Sequence, residues 1–307
     1  MASSRETAAL ILLLRTARLP WRWYADMVEK AGSAVAVLEQ EQDVGDRTDD
    51  EQSFGQQSLF TAPPNAVDRS AQLDAVAAEI AGWEAAGIEL VTVLDRGYPE
   101  NLRGVHDRPP LVFVAGRLEP GDARSAAVVG TRRPSPAGVH AAIAIAEQLV
   151  EANYTVVSGL AAGIDTAVHT AALDSHGRTV AVIGTGLSRC YPPQNARLQH
   201  RIASECAVVS QFWPDAGPSR RSFPMRNAVI SGLTLVTVVV EASPSSGSLI
   251  QARVALGQGR PVLLPDALLG QRWATELAAH PGAHVVRSPG EVTTTIERLT
   301  SSGTLTV

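Results

Sequence analysis

Between about residue 70 and residue 265, short apolar runs alternate with longer stretches of helical period. The runs predict strands over 89–94, 111–115, 126–129, 154–157, 179–183, 207–210, 235–240 and 261–264. The helical stretches are 73–86, 136–151, 164–175, 195–203 and 249–258, with a weaker one at 273–279. Runs such as 236–240, interrupted only by Thr237, are nearly continuous in apolar residues, which a strand needs when both faces of a parallel sheet are covered. The predicted class is α/β, a doubly wound, mostly parallel sheet. Upstream, residues 5–38 carry helical periodicity through Leu10, Leu13, Leu14, Ala25, Val28, Val35, Val37 and Leu38. Pro20 and Gly32 divide this stretch into two or three short helices. Residues 39–68 have little to build a core and read as a linker. The predicted division is 1–38, a helical module; 39–68, an acidic and polar linker; and 69–307, the α/β domain.

Charge changes the picture more by its placement than by its sum. The net charge is −5, and residues 39–51 hold seven acids against one arginine. Residues 101–264 hold fifteen arginines against ten acids, so the α/β region is locally positive. Lys30 is the single lysine, so anion contacts fall to arginine, whose planar fork suits phosphate. Cys190 and Cys206 show neither metal spacing nor a disulfide pattern. No apolar run is long enough to cross a membrane, and the short run at 8–14 beside Arg15 and Arg18 makes a poor signal peptide. These features predict a cytoplasmic protein.

In a doubly wound sheet ligands gather outside the carboxyl ends of the strands, and four of those ends share one character. The first is VVGTRRPSPAG, with Gly130, Thr131, Arg132 and Arg133. The second is SGLAAGID, where Ser158, Gly159 and Gly163 precede a helix. The third is IGTGLSRCYPPQN, and the fourth EASPSSGSL, with Ser246, Gly247 and Ser248. Small residues before a helix let backbone N–H groups approach an anion, whose charge the helix start favours. A fifth segment, SRRSFPMRNAVISGL, sets Arg220, Arg221 and Arg226 around Phe223, with Asn227 adjacent. Charge for a backbone beside a flat ring for a base is what single-stranded nucleic acid needs, although Phe223 could equally be a core residue.

Other chemistries are thin. GxGxxG fails because Arg189 stands at the third glycine position, and no P-loop lysine exists, which disfavours an NAD or ATP enzyme. Asp165 and His169 share a helix face, but without a third ligand they read as a helix-start carboxylate and a hydrogen-bonded histidine. Glu241 could be a general base or could hold a loop by accepting N–H bonds, and the second is favoured. No metal and no cofactor is expected.

Taken in order, VVGTRRPS, SGLAAGIDTAVHTAAL, AVIGTGLSRCYPPQN, FPMRNAVISGL and EASPSSGSLIQARVALGQGRPVLLP resemble the bacterial DNA-processing protein A family, also called DprA or Smf. The resemblance runs from about residue 70 to 265, and residues 5–38 are similar to that family's helical, SAM-like N-terminal domain. It implies an extended Rossmann-like fold that binds single-stranded DNA, forms a homodimer and helps load the RecA recombinase during natural transformation or recombination, a binding protein with no established turnover. By motif, Arg132 would contact phosphate beside Gly130, Thr131, Ser158, Gly159 and Gly163. Arg220, Arg221, Phe223, Arg226 and Asn227 would form the strand-binding rim, and Ser246, Gly247 and Ser248 the pocket floor. The sequence departs from the family pattern at Ala228 for an arginine, Gln251 for a threonine, Asp266 after Pro265, and Gln211 after Ser210. A C-terminal winged-helix domain has no counterpart by residue 307. The departures motivate an alternative, a nucleotide-sensing or antitoxin-like member of the superfamily in a defence locus. A nucleotide phosphoribohydrolase ranks last, because EASPSSGS replaces that family's PGGxGTxxE.

Overall fold

A strand buried on both faces has no polar face to show, and in the computed structural model the central strands are buried at every residue. The structure describes residues 4–40, 69–244, 246–303 and 305. From residue 41 on, the predicted linker, and with it most of the acidic run, lies outside the described residues. The chain divides into two compact units, Met1–Tyr98 with Pro109–Leu111, and Pro99–Arg108 with Val112–Val307.

The first unit contains α1 (Ser4–Arg15), α2 (Trp21–Ala31), α3 (34–40), α4 (Arg69–Ala85) and β1 (Ile88–Thr92). Leu10, Leu13 and Leu14 of α1, Ala25 and Val28 of α2, and Leu73, Val76 and Ile80 of α4 are all buried, as the helical spacing requires. Gly32 ends α2 in the left-handed conformation at φ 65°, its N–H donating to Glu29 O. Glu6 then accepts from Ser33 Oγ at 2.8 Å and from Val35 N at 3.2 Å, which satisfies the start of α3.

The second unit begins with the short α5 (Glu100–Arg103) and β2 (Leu111–Gly116). Strands and helices then alternate: β3 (Ser125–Val129), α6 (Pro136–Glu151), β4 (Thr155–Ser158), α7 (Ile164–Asp174), β5 (Thr179–Val182), α8 (Ala196–Glu205) and β6 (Ala207–Ser210). After α9 (Ser222–Leu233) come β7 (Val236–Val239), α10 (Gly247–Gly257), β8 (Val262–Pro265), α11 (Arg272–Ala278), β9 (Ala283–Val286) and α12 (Pro289–Ser301). The strand order is β2-β6-β5-β4-β3-β7-β8-β9, parallel except for the antiparallel β2–β6 pair. From β3 the chain winds outward through β4, β5 and β6, then returns to β7 on the other side of β3. The winding therefore reverses at β3, and crevices at such a reversal take ligands.

Two apolar layers close the sheet. Ala126 and Val128 of β3 and Val236 and Val238 of β7 pack with Ile145 and Leu149 of α6, Val168 of α7 and Ile296 of α12. Val129 and Val239 face the other way, onto Leu249 and Ala252 of α10 and Trp273 of α11. This two-sided burial makes the fold the predicted mixed α/β architecture with N-terminal helices. Four elements, α5, α9, β9 and α12, were not anticipated from the pattern. Nearly all of α9 is buried after its first turn, so no polar face marks its period, and Pro224 and Gly232 disguise it further. The edge strand β9 is mostly half-exposed and offers no apolar run.

Candidate nucleic-acid interface

The loops after β3, β4 and β7 and the first turns of α9 enclose a cavity of about 460 Å³. Gly130, Thr131, Arg132 and Arg133 come from the β3 loop, and Ala161 and Asp165 from the approach to α7. Phe223, Arg226 and Asn227 come from α9, and Ser243, Ser246, Gly247, Ser248 and Gln251 from the segment that opens α10. Three arginines thus meet one carboxylate, Asp165, and Gly247 and Ser248 at the N-terminus of an eleven-residue helix line the same cavity.

Each loop has a local reason for its path. Ser135 caps α6, its Oγ accepting from Gly138 N at 3.0 Å, with Pro136 at the first helical position. Glu241, at the end of β7, accepts from Ser135 Oγ at 2.9 Å and from Ser135 N at 3.1 Å. It ties the β3 loop to the β7 end, so the loop-holding role favoured from sequence is the one it has. Ser246 caps α10 by accepting from Leu249 N, and shares a 2.8 Å hydrogen bond with Ser248 Oγ. Gln251 Nε2 donates to Asn227 O at 3.0 Å, joining α10 to α9 under the cavity.

The charged floor is unusual. Arg226 is 6 % exposed, and Nε has no hydrogen-bond partner among the described residues. Burial lowers its pKa, Asp165 opposes the shift, and Arg132 adds to it. Asp165 accepts from Gly159 N at 3.1 Å and Ala161 N at 3.3 Å, the role of a helix-start carboxylate. Burial still raises its pKa, against the pull of Arg226 and those N–H groups. Below them His169 Nδ1 lies 2.7 Å from Thr179 Oγ1, which itself donates to Val156 O. Since the hydroxyl hydrogen is spent on Val156, Nδ1 carries the proton that Thr179 accepts. Burial, then the charge of Arg226, push the imidazole pKa down to about 3, so His169 is neutral.

Of the residues singled out from sequence, Gly130, Thr131, Arg132, Phe223, Arg226, Asn227, Ser246, Gly247 and Ser248 line the cavity together. The others stand elsewhere. Ser158 is buried and donates to Val128 O at 2.7 Å. Gly159 lies behind the floor, where a Cβ would coincide with Arg226 Nη1, so its missing side chain makes room for the guanidinium. Gly163 has φ 86°, and a Cβ there would meet Thr131 O at 2.4 Å; it locks the β4 loop against the β3 loop. Arg220 and Arg221 are exposed beside the start of α9 and do not line the cavity. Arg133, named with its strand-end loop but given no contact role, lines the cavity as well, as do Asp165, read only as a helix-start carboxylate, and Gln251, read only as a departure from the family pattern. Among the described residues no group of three His, Cys, Asp or Glu could hold a metal ion. No described helix is long and apolar enough to cross a membrane.

Known proteins resemble this chain in sequence and in fold. The family model for DNA recombination-mediator protein A matches residues 89–297. Protein Smf of Synechocystis is 39% identical over 210 residues, covering 66% of this chain and 53% of that protein. DNA processing protein DprA of Streptococcus pneumoniae is 42% identical over 179 residues, 58% of this chain and 63% of that one. The chain thus spans between half and two thirds of the length of these curated relatives. The solved structure of the Streptococcus pneumoniae protein superposes with a TM-score of 0.63 at 36% identity, over 73% of this chain and 81% of its own. That of DNA processing protein A from Helicobacter pylori, described for its single-stranded DNA binding mode, gives 0.59 at 25% identity over 70% and 97%. With the family model covering well over half of its length, the chain belongs to the DNA recombination-mediator protein A family.

Proposed function

We propose that the cavity holds the phosphodiester backbone of single-stranded DNA, and that the protein acts as a recombination mediator delivering that strand to a RecA-type recombinase. The observation that carries the reading is the convergence of Arg132, Arg133 and Arg226 with the α10 N-terminus, beside the aromatic ring of Phe223. Arginine forks and helix N–H groups select phosphate oxygens, and an adjacent ring selects an unpaired base over a duplex. The Helicobacter pylori relative, similar over most of its length, is described as binding single-stranded DNA. The recombinase partner and a homodimeric state are part of this proposal, carried over from the resemblance read in the sequence; the family's description is that of a recombination mediator.

The cavity volume of about 460 Å³ also suits a single nucleotide, which supports the nucleotide-sensing alternative. Competition separates the two. A labelled oligo-dT bound to the protein is displaced by unlabelled single strand at comparable concentration, by duplex of equal length only weakly, and by mononucleotides not at all below millimolar levels. Displacement by a mononucleotide at micromolar concentration, or failure of the folded protein to bind the strand, overturns the strand reading.

A further inference from the structure

Against Phe223, outside the cavity lining, stands an aromatic residue that the anion-binding site does not use. Tyr191, in the loop between β5 and α8, is 41% exposed. It does not line the cavity, but its ring centroid lies 5.6 Å from that of Phe223, with the planes tilted by 49°. On the cavity side, the Arg132 guanidinium carbon lies 5.5 Å from the Phe223 centroid. Arg132, Phe223 and Tyr191 therefore form a ladder that starts at the phosphate site and ends in solvent. The Phe223 ring packs closely over Gly184, where an added Cβ would come within 2.9 Å of it. The two rings already touch, so no base fits between them, and exposed Tyr191 extends outward the aromatic surface that Phe223 begins in the cavity.

The surroundings suit a strand leaving the cavity. Met225 is 48% exposed one turn into α9, and Arg189, Arg220 and Arg221 are exposed on the flanking segments. A large exposed ring among arginines, contiguous with an anion site, is the arrangement on which bases of single strands stack. A protein docking site would not need the ladder to reach back to Arg132.

We propose that Tyr191 is a base-stacking residue, receiving the nucleobase next to the phosphate held in the cavity. The inference rests on the strand reading above and extends it to a residue outside the cavity. Stacking is indifferent to base identity, so the platform accepts any sequence.

The test compares a labelled oligo-dT with an abasic phosphodeoxyribose oligomer of equal length, by fluorescence anisotropy at one salt concentration. The proteins are wild type, Tyr191→Ala, Tyr191→Phe and Arg132→Ala. Tyr191→Ala is expected to weaken oligo-dT binding about 10-fold while leaving abasic binding at the wild-type level. Tyr191→Phe retains wild-type affinity, because the ring and not the hydroxyl carries the contact. Unchanged oligo-dT binding by Tyr191→Ala, or equal weakening on both oligomers, overturns the inference. If Arg132→Ala loses the strand in those same assays, the strand reading survives that result. If wild type fails to bind, or Arg132→Ala binds as wild type does, the strand reading falls and the stacking role falls with it.

Discussion

Replacing Arg226 by methionine is expected to weaken single-strand binding by about two orders of magnitude, on the order of 3 kcal/mol, without lowering the melting temperature. The two halves of this result have one cause. Arg226 is buried with Nε unpartnered, and burial outweighs the attraction of Asp165 in setting its pKa. A charge kept in that state costs folding free energy and gains its partners when an anion enters. Methionine keeps the stem and removes the charge, so stability is retained while the ligand loses its buried donor. Oligonucleotide titration and thermal unfolding of the same preparation read both quantities. A sharp fall in melting temperature with binding intact would make Arg226 a structural residue.

The second large effect is in acid. His169 has a folded pKa of about 3 against 6.5 for the free side chain. A depressed histidine binds its proton more readily unfolded than folded, so it favours unfolding as the pH drops below 6.5. The loss approaches 1.4 kcal/mol per pH unit and reaches about 3 kcal/mol near pH 4. Asp165 works in the opposite direction, because its raised pKa favours the folded state as it takes up a proton. Comparing wild type with His169→Asn, whose amide offers a donor near the position of Nδ1, isolates the histidine while leaving Asp165 in both. Denaturant unfolding from pH 7 to 4 is expected to show the steeper decline in wild type. Parallel declines would mean that His169 is already protonated in the fold or remains solvated.

The elements that build the floor of the site were legible because burial on both faces leaves nearly continuous apolar runs, as in β3, β4, β5 and β7. The same burial hid α9, since a helix enclosed on nearly every side has no amphipathic stripe. For α12 the signal was present and went unread: Ser288 caps the helix by accepting from Glu291 N, with Pro289 at the first turn. At the site, the strand-end loops identified most of the lining, because residues such as Gly130, Arg132 and Ser246 must sit at carboxyl ends in this winding. Sequence could not separate the residues facing the cavity from those one layer behind. Gly159 and Gly163 look like a phosphate loop, yet one makes room for a guanidinium and the other locks two loops together. That distinction depends on Arg226, which is 67 positions further along the chain than Gly159 and reaches it only through the packing of α9. The ladder from Arg132 to Tyr191 joins three separate segments in the same way.

The most direct test of the central claim is a salt-series titration of labelled oligo-dT against wild type and Arg132→Ala. The account predicts wild-type affinity that falls steeply with salt, and a variant that binds more weakly with a log–log slope shallower by about one unit. Folded wild type that does not bind the strand, or a variant with the affinity and slope of wild type, would contradict it.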